Sequence, residues 1–349
     1  MQPTNFTRAG ILALFLSFIL IVSWEIHLRN GDMTISYDDN EALWADKRAM
    51  VYEPIDQATV FIGSSRNKFD MDIPTWESIT GDHAIQLANV GSSPKPVLED
   101  LSSDENFKGK LIIDVTEGVF FSPFNIYDPS TRKKIAYYKN ETPTQKFSFQ
   151  VDRLLESQFY FLDQDNYSIN AMLDNAHPFG YREGVFPGLF FPKEFEQNRF
   201  TRQSFMTPRF VADTNLQKQV TAIWAGFASR HPEPPISGAA LDSMIYGIKF
   251  MIDKIKARGG KVIFVRTPSS GPAWMGEMQG FPRDKYWDRL LTLTGCEGIH
   301  FKDYPASADL ICTEWSHLSP ANAIIWTKTF IQAIHDDKGW SFKNLPGKP

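Results

Sequence analysis

Five short aliphatic runs, at residues 59–62, 85–90, 110–115, 261–266 and 299–304, constrain this chain more than any other feature of its sequence. Four of them stop at turns of small or polar residues: Gly63-Ser64-Ser65, Gly91-Ser92-Ser93-Pro94, Thr116-Glu117 and Pro268-Ser269-Ser270. Helical patterns lie between the runs. Leu241, Met244, Ile245, Ile248, Met251, Ile252 and Ile255 recur at helical spacing, and Gly259-Gly260 stops that helix. Residues 41–53, 94–105 and 284–294 also read as helices. Ser319 as N-cap and Pro320 in the first turn start a last helix, to about His335. Apolar strands alternating with helices predict an α/β fold, a central parallel sheet covered on both faces. Ligands of such sheets sit outside the carboxyl ends of the strands, so these turns are expected along one edge.

The 349 residues carry an ordinary composition and allow one large domain, or one domain plus an insertion. Residues 1–30 read as a membrane anchor, 31–55 as a linker with a short helix, and 56–119 and 236–340 as two parts of one core. Between the parts, 120–235 breaks the pattern and is rich in Phe, Tyr, Asn and Pro. So long a stretch is improbable as bare loop, and it is expected to fold against the active edge and select substrate. Its clearest helix spans 216–230.

Residues 9–24 carry no charge. As helix they span roughly 24 Å, short of a hydrocarbon core of about 30 Å by a gap that flanking residues close. The run ends in Ser-Trp-Glu-Ile-His-Leu-Arg, without the small residues of a cleavage site, and Trp24 suits a membrane interface. The segment is read as an uncleaved signal anchor. Arg8 is the one charged side chain before the run, which sets the body outside the cytoplasm, in the periplasm of a Gram-negative cell. A net charge of −5 with no long basic block argues against nucleic acid as a partner. Cys296 and Cys312 flank the fifth run and are either a bridge or two buried thiols. Neither they nor the histidines have metal-ligand spacing, and no cofactor is indicated.

Two motifs carry chemistry. A serine at the end of a first strand needs a base, and the base needs an orienting carboxylate. Glu314-Trp315-Ser316-His317 supplies both, three residues apart. Ser65 is the expected nucleophile, with Ser64 as the alternative and turn capping as the plain reading of either. His317 is the expected general base and Glu314 its orienting carboxylate. Gly91 suits an oxyanion hole or simply a turn. Asn89 donates to substrate or caps the turn. Arg66 contacts a polar substrate group or pairs with a carboxylate.

These residues resemble the SGNH (GDSL-like) hydrolase superfamily over the chain outside the anchor and the insertion. Gly63-Ser64-Ser65 stands for the family's Gly-Asp-Ser block, Ala88-Asn89-Val90-Gly91 for its oxyanion glycine block, and Glu314-x-x-His317-Leu318 for its Asp-x-x-His block. The resemblance implies a flavodoxin-like three-layer α/β/α fold and a Ser65-His317-Glu314 triad. The family's Gly-x-Asn-Asp block is missing: the third run ends Asp114-Val115-Thr116-Glu117-Gly118, leaving Thr116 or a backbone N–H to replace the Asn. The anchored, divergent members that the chain resembles include the alginate O-acetyltransferase and teichoic-acid D-alanylation periplasmic proteins. That likeness implies an O-acyltransferase or esterase acting on acyl, chiefly acetyl, esters of a cell-surface polysaccharide beside a multi-span membrane O-acyltransferase. The missing Asn leaves a non-catalytic accessory subunit of such a complex as the alternative.

Overall fold

The protein is described by a computed structural model covering residues 4–31, 34–123, 128–168, 171–173, 191–230 and 234–347. Seven strands are present among them: β1 (Ala58–Ile62), β2 (His83–Gln86), β3 (Lys110–Asp114), β4 (Gln197–Asn198), β5 (Ser204–Phe205), β6 (Lys261–Arg266) and β7 (Glu297–His300). Five form one all-parallel sheet in the order β2-β1-β3-β6-β7, and β4 and β5 make a separate antiparallel ribbon. In the sheet, Val60 stands level with Ile85 on one side and Leu111 on the other.

The strands lack polar alternation because both faces are covered. Val60, Ile62, Leu111, Ile113 and Phe264 pack on one face against helices Glu41–Ala49, Lys95–Ser103, Gly238–Ala257 and Trp287–Thr294. Phe61, Ile112, Ile263 and Val265 pack on the other against helices Ile73–Thr80 and Pro320–Asp336. The last helix starts as expected, with the Ser319 hydroxyl accepting the Asn322 N–H at 3.3 Å.

Two strands are shorter than their apolar runs. β2 is regular to Gln86, whose side chain accepts the Ala88 N–H at 3.0 Å, and beyond it Leu87 and Asn89 still donate to Phe61 O and Gly63 O at 2.8 and 3.1 Å. β7 stops at His300, whose ring nitrogen accepts the Lys302 N–H at 3.2 Å and turns the chain into a tight helical turn. Cys296 and Cys312 are free buried thiols, one in each core, so the sheet separates them.

From β1 the chain runs to β2 on one side, then crosses back to place β3 on the other. The strand order therefore reverses between β1 and β3, and such a switch point opens a crevice at the carboxyl ends. Ser65 follows β1 and Thr116 follows β3, so both stand at that crevice.

The first helix, Thr4–Arg29, is longer than its uncharged run. The candidate span within it, the 24 residues Phe6–Arg29, measures roughly 36 Å at ~1.5 Å per residue against a hydrocarbon core of about 30 Å, with Arg8, Glu25 and Arg29 near its ends. Such a helix is consistent with a signal anchor or a signal sequence. Its far end is docked: Glu25 accepts the backbone N–H groups of Tyr160 and Phe161, each at 3.2 Å.

The stretch between β3 and β6 includes helices Pro129–Asn140, Pro143–Glu156 and Thr214–Arg230 and the β4–β5 ribbon. Its residues 124–127, 169–170, 174–190 and 231–233 lie outside the described residues. Arg202 fastens the stretch to the core. Its guanidinium donates to Gln86 O at 2.7 Å and Ala88 O at 3.0 Å, the carbonyls left where β2 ends, and pairs with Asp39.

Candidate active site

Gly63 sets the geometry at the end of β1. A Cβ there would stand 2.6 Å from Asp114 Cβ, so the turn needs glycine to pass the end of β3. Ser64 stands at the N-cap position without a side-chain capping bond, and Ser65 opens the short helix Ser65–Asp70. Behind the turn lies a buried polar chain. Ser64 Oγ is 2.7 Å from Thr116 Oγ1, which donates to Asp114 Oδ2 at 2.9 Å, and Thr267 donates to Asp114 Oδ1 at 3.0 Å. Burial raises the Asp114 pKa, and Arg66 and the two hydroxyls oppose the shift.

Residues 312–318 form a tight loop closed by a Cys312–Leu318 bridge and a Thr313 N–H to His317 O bond of 2.9 Å. Trp315 inside it has φ of 80°, a conformation costly for a bulky residue. Its carbonyl is held by the Ser270 N–H at 2.9 Å. The reversal folds the Glu314 carboxylate back onto its own loop, where Oε1 accepts from His317 N at 2.7 Å and stands 2.7 Å from His317 Nδ1. A glutamate thus does in this loop what a shorter aspartate does elsewhere.

His317 Nε2 stands 2.8 Å from Ser65 Oγ. With Nδ1–H donating to Glu314, Nε2 is left to accept the Ser65 proton, the tautomer a serine nucleophile requires. His317 and Glu314 are buried and Ser65 is half-exposed, so the open side of the array is the serine. The serine helix also grips the base loop, since Asp70 Oδ1 accepts Leu318 N–H at 2.9 Å and Arg66 Nε donates to Ser316 Oγ at 3.1 Å.

The other residues singled out by sequence have internal partners. Arg66 is buried and paired with Glu277, which also holds Arg266. Burial works against the Arg66 charge, but Glu277 outweighs it and raises the guanidinium pKa. Asn89 is buried, with Oδ1 accepting from Arg202 at 3.1 Å. Gly91 is exposed with φ of 60°, and a Cβ there would touch nothing within 4 Å, so the glycine serves the turn's conformation.

Four contributors are silent in the sequence. Trp224, in helix Thr214–Arg230, donates its indole N–H to Glu314 Oε2, the oxygen His317 leaves free. Phe69, Phe195 and Trp224 enclose the imidazole with ring centroids 4.6, 5.7 and 6.1 Å away. Glu277 lies on a helix with three glycines, Gly271–Gly280, whose sequence shows no apolar stripe.

A cavity of ≈ 350 Å³ is lined on the serine helix by Lys68 and by none of Ser65, Glu314 or His317. Lys68, Asn89, Lys134, Asp165 and Glu196 are among its lining residues. Among the described residues no group of three or more His, Cys, Asp or Glu is placed to hold a metal. No protein-family model matches the chain, and no curated protein matches it.

Proposed function

We propose that this protein is a membrane-anchored, extracytoplasmic O-acyltransferase or esterase of SGNH type that handles acyl esters of a cell-surface polysaccharide. One observation carries the reading: the unbroken hydrogen-bonded line from Ser65 Oγ through both nitrogens of His317 to Glu314, at 2.8 and 2.7 Å. Ser65 Oγ attacks the acyl carbonyl while its proton passes to His317 Nε2, and Glu314 stabilises the imidazolium. Collapse of the tetrahedral adduct expels the donor alcohol, which takes that proton and leaves the acyl group esterified to Ser65. A sugar hydroxyl or water then attacks the ester, gives its proton to His317, and the proton returns to Ser65. The half-exposed serine at the carboxyl edge of the sheet is open to a hydroxylated acceptor.

The backbone N–H groups of Ser65 and Gly91 are the oxyanion donors in this reading. Thr116 has one proton, and with Asp114 ionised that proton is committed to the carboxylate. A missing side-chain donor costs about 3–4 kcal/mol of transition-state stabilisation, which favours slow turnover. The same observation supports the second reading, a non-catalytic accessory subunit of a polysaccharide acylation complex.

The test is to treat the full-length protein in detergent with a chromogenic acetyl ester and a serine-directed phosphonate. A phosphonate adduct on Ser65 is expected, with ester turnover reduced roughly 10⁶-fold in Ser65→Ala, as for other triad serines. A folded protein with neither adduct nor turnover would sink the enzyme reading in favour of the accessory one.

A further inference from the structure

A helix on the surface of a globular protein turns its apolar stripe to the core. Helix Pro143–Glu156 does the reverse. Phe147 and Leu154 are 71% and 62% exposed, and Val151 and Leu155 are exposed beside them. At 3.6 residues per turn these four positions fall within an arc of about 100°. The opposite side is the one the body holds. Phe149 is buried and stacks on Phe200 at 6.4 Å, and the Arg153 guanidinium lies 5.1 Å from the same ring.

What the stripe faces follows from where the helix ends. Its last turn leads into residues 158–161, the segment to which the first helix is fastened. Glu25 accepts the N–H groups of Tyr160 and Phe161, Arg29 donates to Gln158 O, and Trp24 packs edge-on to Tyr167 at 6.3 Å. The most apolar 18-residue window of the first helix has a mean hydropathy of 2.2, and only 6% of that window is buried in protein. Glu25 and Arg29 are the first ionised groups after its uncharged run, so they mark where a spanning chain leaves the hydrocarbon. The outward stripe, continued by the exposed Phe159, therefore begins within a few residues of the bilayer boundary.

We propose that helix Pro143–Glu156 lies in the lipid interface, with Phe147, Val151, Leu154 and Leu155 set among the headgroups and upper acyl chains. The body is then held on the membrane at two points, and the sheet edge bearing Ser65 keeps a fixed attitude to the bilayer. The proposal rests on reading the first helix as membrane-spanning.

The test uses the full chain in lipid nanodiscs with single cysteines at Phe147→Cys and Leu154→Cys. Leu14→Cys reports on the span, and Asp309→Cys, with a 98% exposed side chain, on water. The native thiols are buried, and the unsubstituted protein gives their background. Maleimide labelling at 147 and 154 is expected to be roughly tenfold slower than at 309, and a fluorophore there should be quenched by nitroxide lipids. If 147 and 154 label as fast as 309 while 14 is protected, the anchor stands and the interfacial helix falls. If 14 also labels fast, both fall. Slow labelling without lipid quenching would mean that protein, such as a second copy of the chain, covers the stripe, which overturns the proposal.

Discussion

The two halves of the candidate triad are held in different ways. The turn before Ser65 is braced by the sheet: Gly63 presses on the end of β3, and Asp114, Thr116 and Thr267 lie behind it. Among the described residues the insertion reaches only the helix that follows, where Lys68 donates to Asn198 Oδ1 at 3.1 Å and Phe69 stacks on Phe195 at 5.4 Å. The Glu314–His317 loop is held partly by the core, through Ser270 and Asp70, and partly by the stretch between β3 and β6, through Trp224, which bonds Glu314 directly, and Phe195. The position of Ser65 thus leans mainly on the fold, and that of His317 on the fold and the insertion together. Changes to the core should damage stability and chemistry at once. Changes to the insertion should damage chemistry and leave the core standing.

The largest effect is expected at Gly63. In Gly63→Ala the new methyl meets Asp114 Cβ at 2.6 Å, two backbone-borne atoms that cannot swing aside. Overpacking of this kind costs about 1–3 kcal/mol, and moving the serine by a fraction of an ångström costs on the order of 100-fold in rate. Thermal unfolding and ester turnover measured on one sample should both fall. Unchanged stability with normal turnover would show that the turn is not set by its contact with β3.

Trp224→Phe should separate the two properties. It keeps a ring over His317 and removes only the N–H that Glu314 Oε2 accepts. The bond to Glu314 matters most when His317 carries the transition-state charge, so a loss of about 1.5–3 kcal/mol there should lower kcat roughly 10- to 100-fold with KM little changed, and the melting temperature should fall by only a few degrees. A matching loss of melting temperature would place Trp224 in the core rather than in the support of the base.

The same division explains what could be read from the chain. The inner positions of the sheet strands are apolar on both faces because both are covered, so residues such as Val60, Ile112 and Phe264 announce themselves without knowledge of their partners. Ser65, Glu314 and His317 stand out because each lies beside a recognisable local feature, Ser65 after a strand end and Glu314 and His317 just before a helix start. Trp224, Phe195 and Arg202 could not be found that way. Their partners lie 90 or more residues off, as Trp224 to Glu314 and Arg202 to Ala88 show, and nothing local to each residue records such a contact. The Arg66–Glu277 pair was hidden because helix Gly271–Gly280 has no buried residue and so no apolar period.

The smallest effect expected concerns how the insertion is attached. Asp38 and Asp39 are neighbours with opposite shifts. Burial, aided by Asp165 and Asp163, pushes Asp38 up to about 7. Burial would also raise Asp39, but Arg202, Lys68 and Lys134 outweigh it and hold that carboxyl well below the usual range. Glu156, at the end of the outward-facing helix, is pushed up to about 8 by burial and by Asp38, Asp152, Asp163 and Asp165. Raised folded-state carboxyl pKa values mean that the folded form holds protons the unfolded form has released. Their contribution is full below about pH 4 and is lost as pH rises through 7 and 8. Amide exchange across Pro143–Glu156, corrected for intrinsic rate, should therefore quicken relative to β1 between pH 5 and 8.5. Glu156→Gln keeps the side-chain volume, removes the titration and should flatten that dependence. A slope unchanged in Glu156→Gln would assign the loosening to Asp38 and Asp163 instead. The absence of any slope would mean that the insertion is held as firmly as the sheet, and the contrast between the two halves of the site would then rest on Trp224 alone.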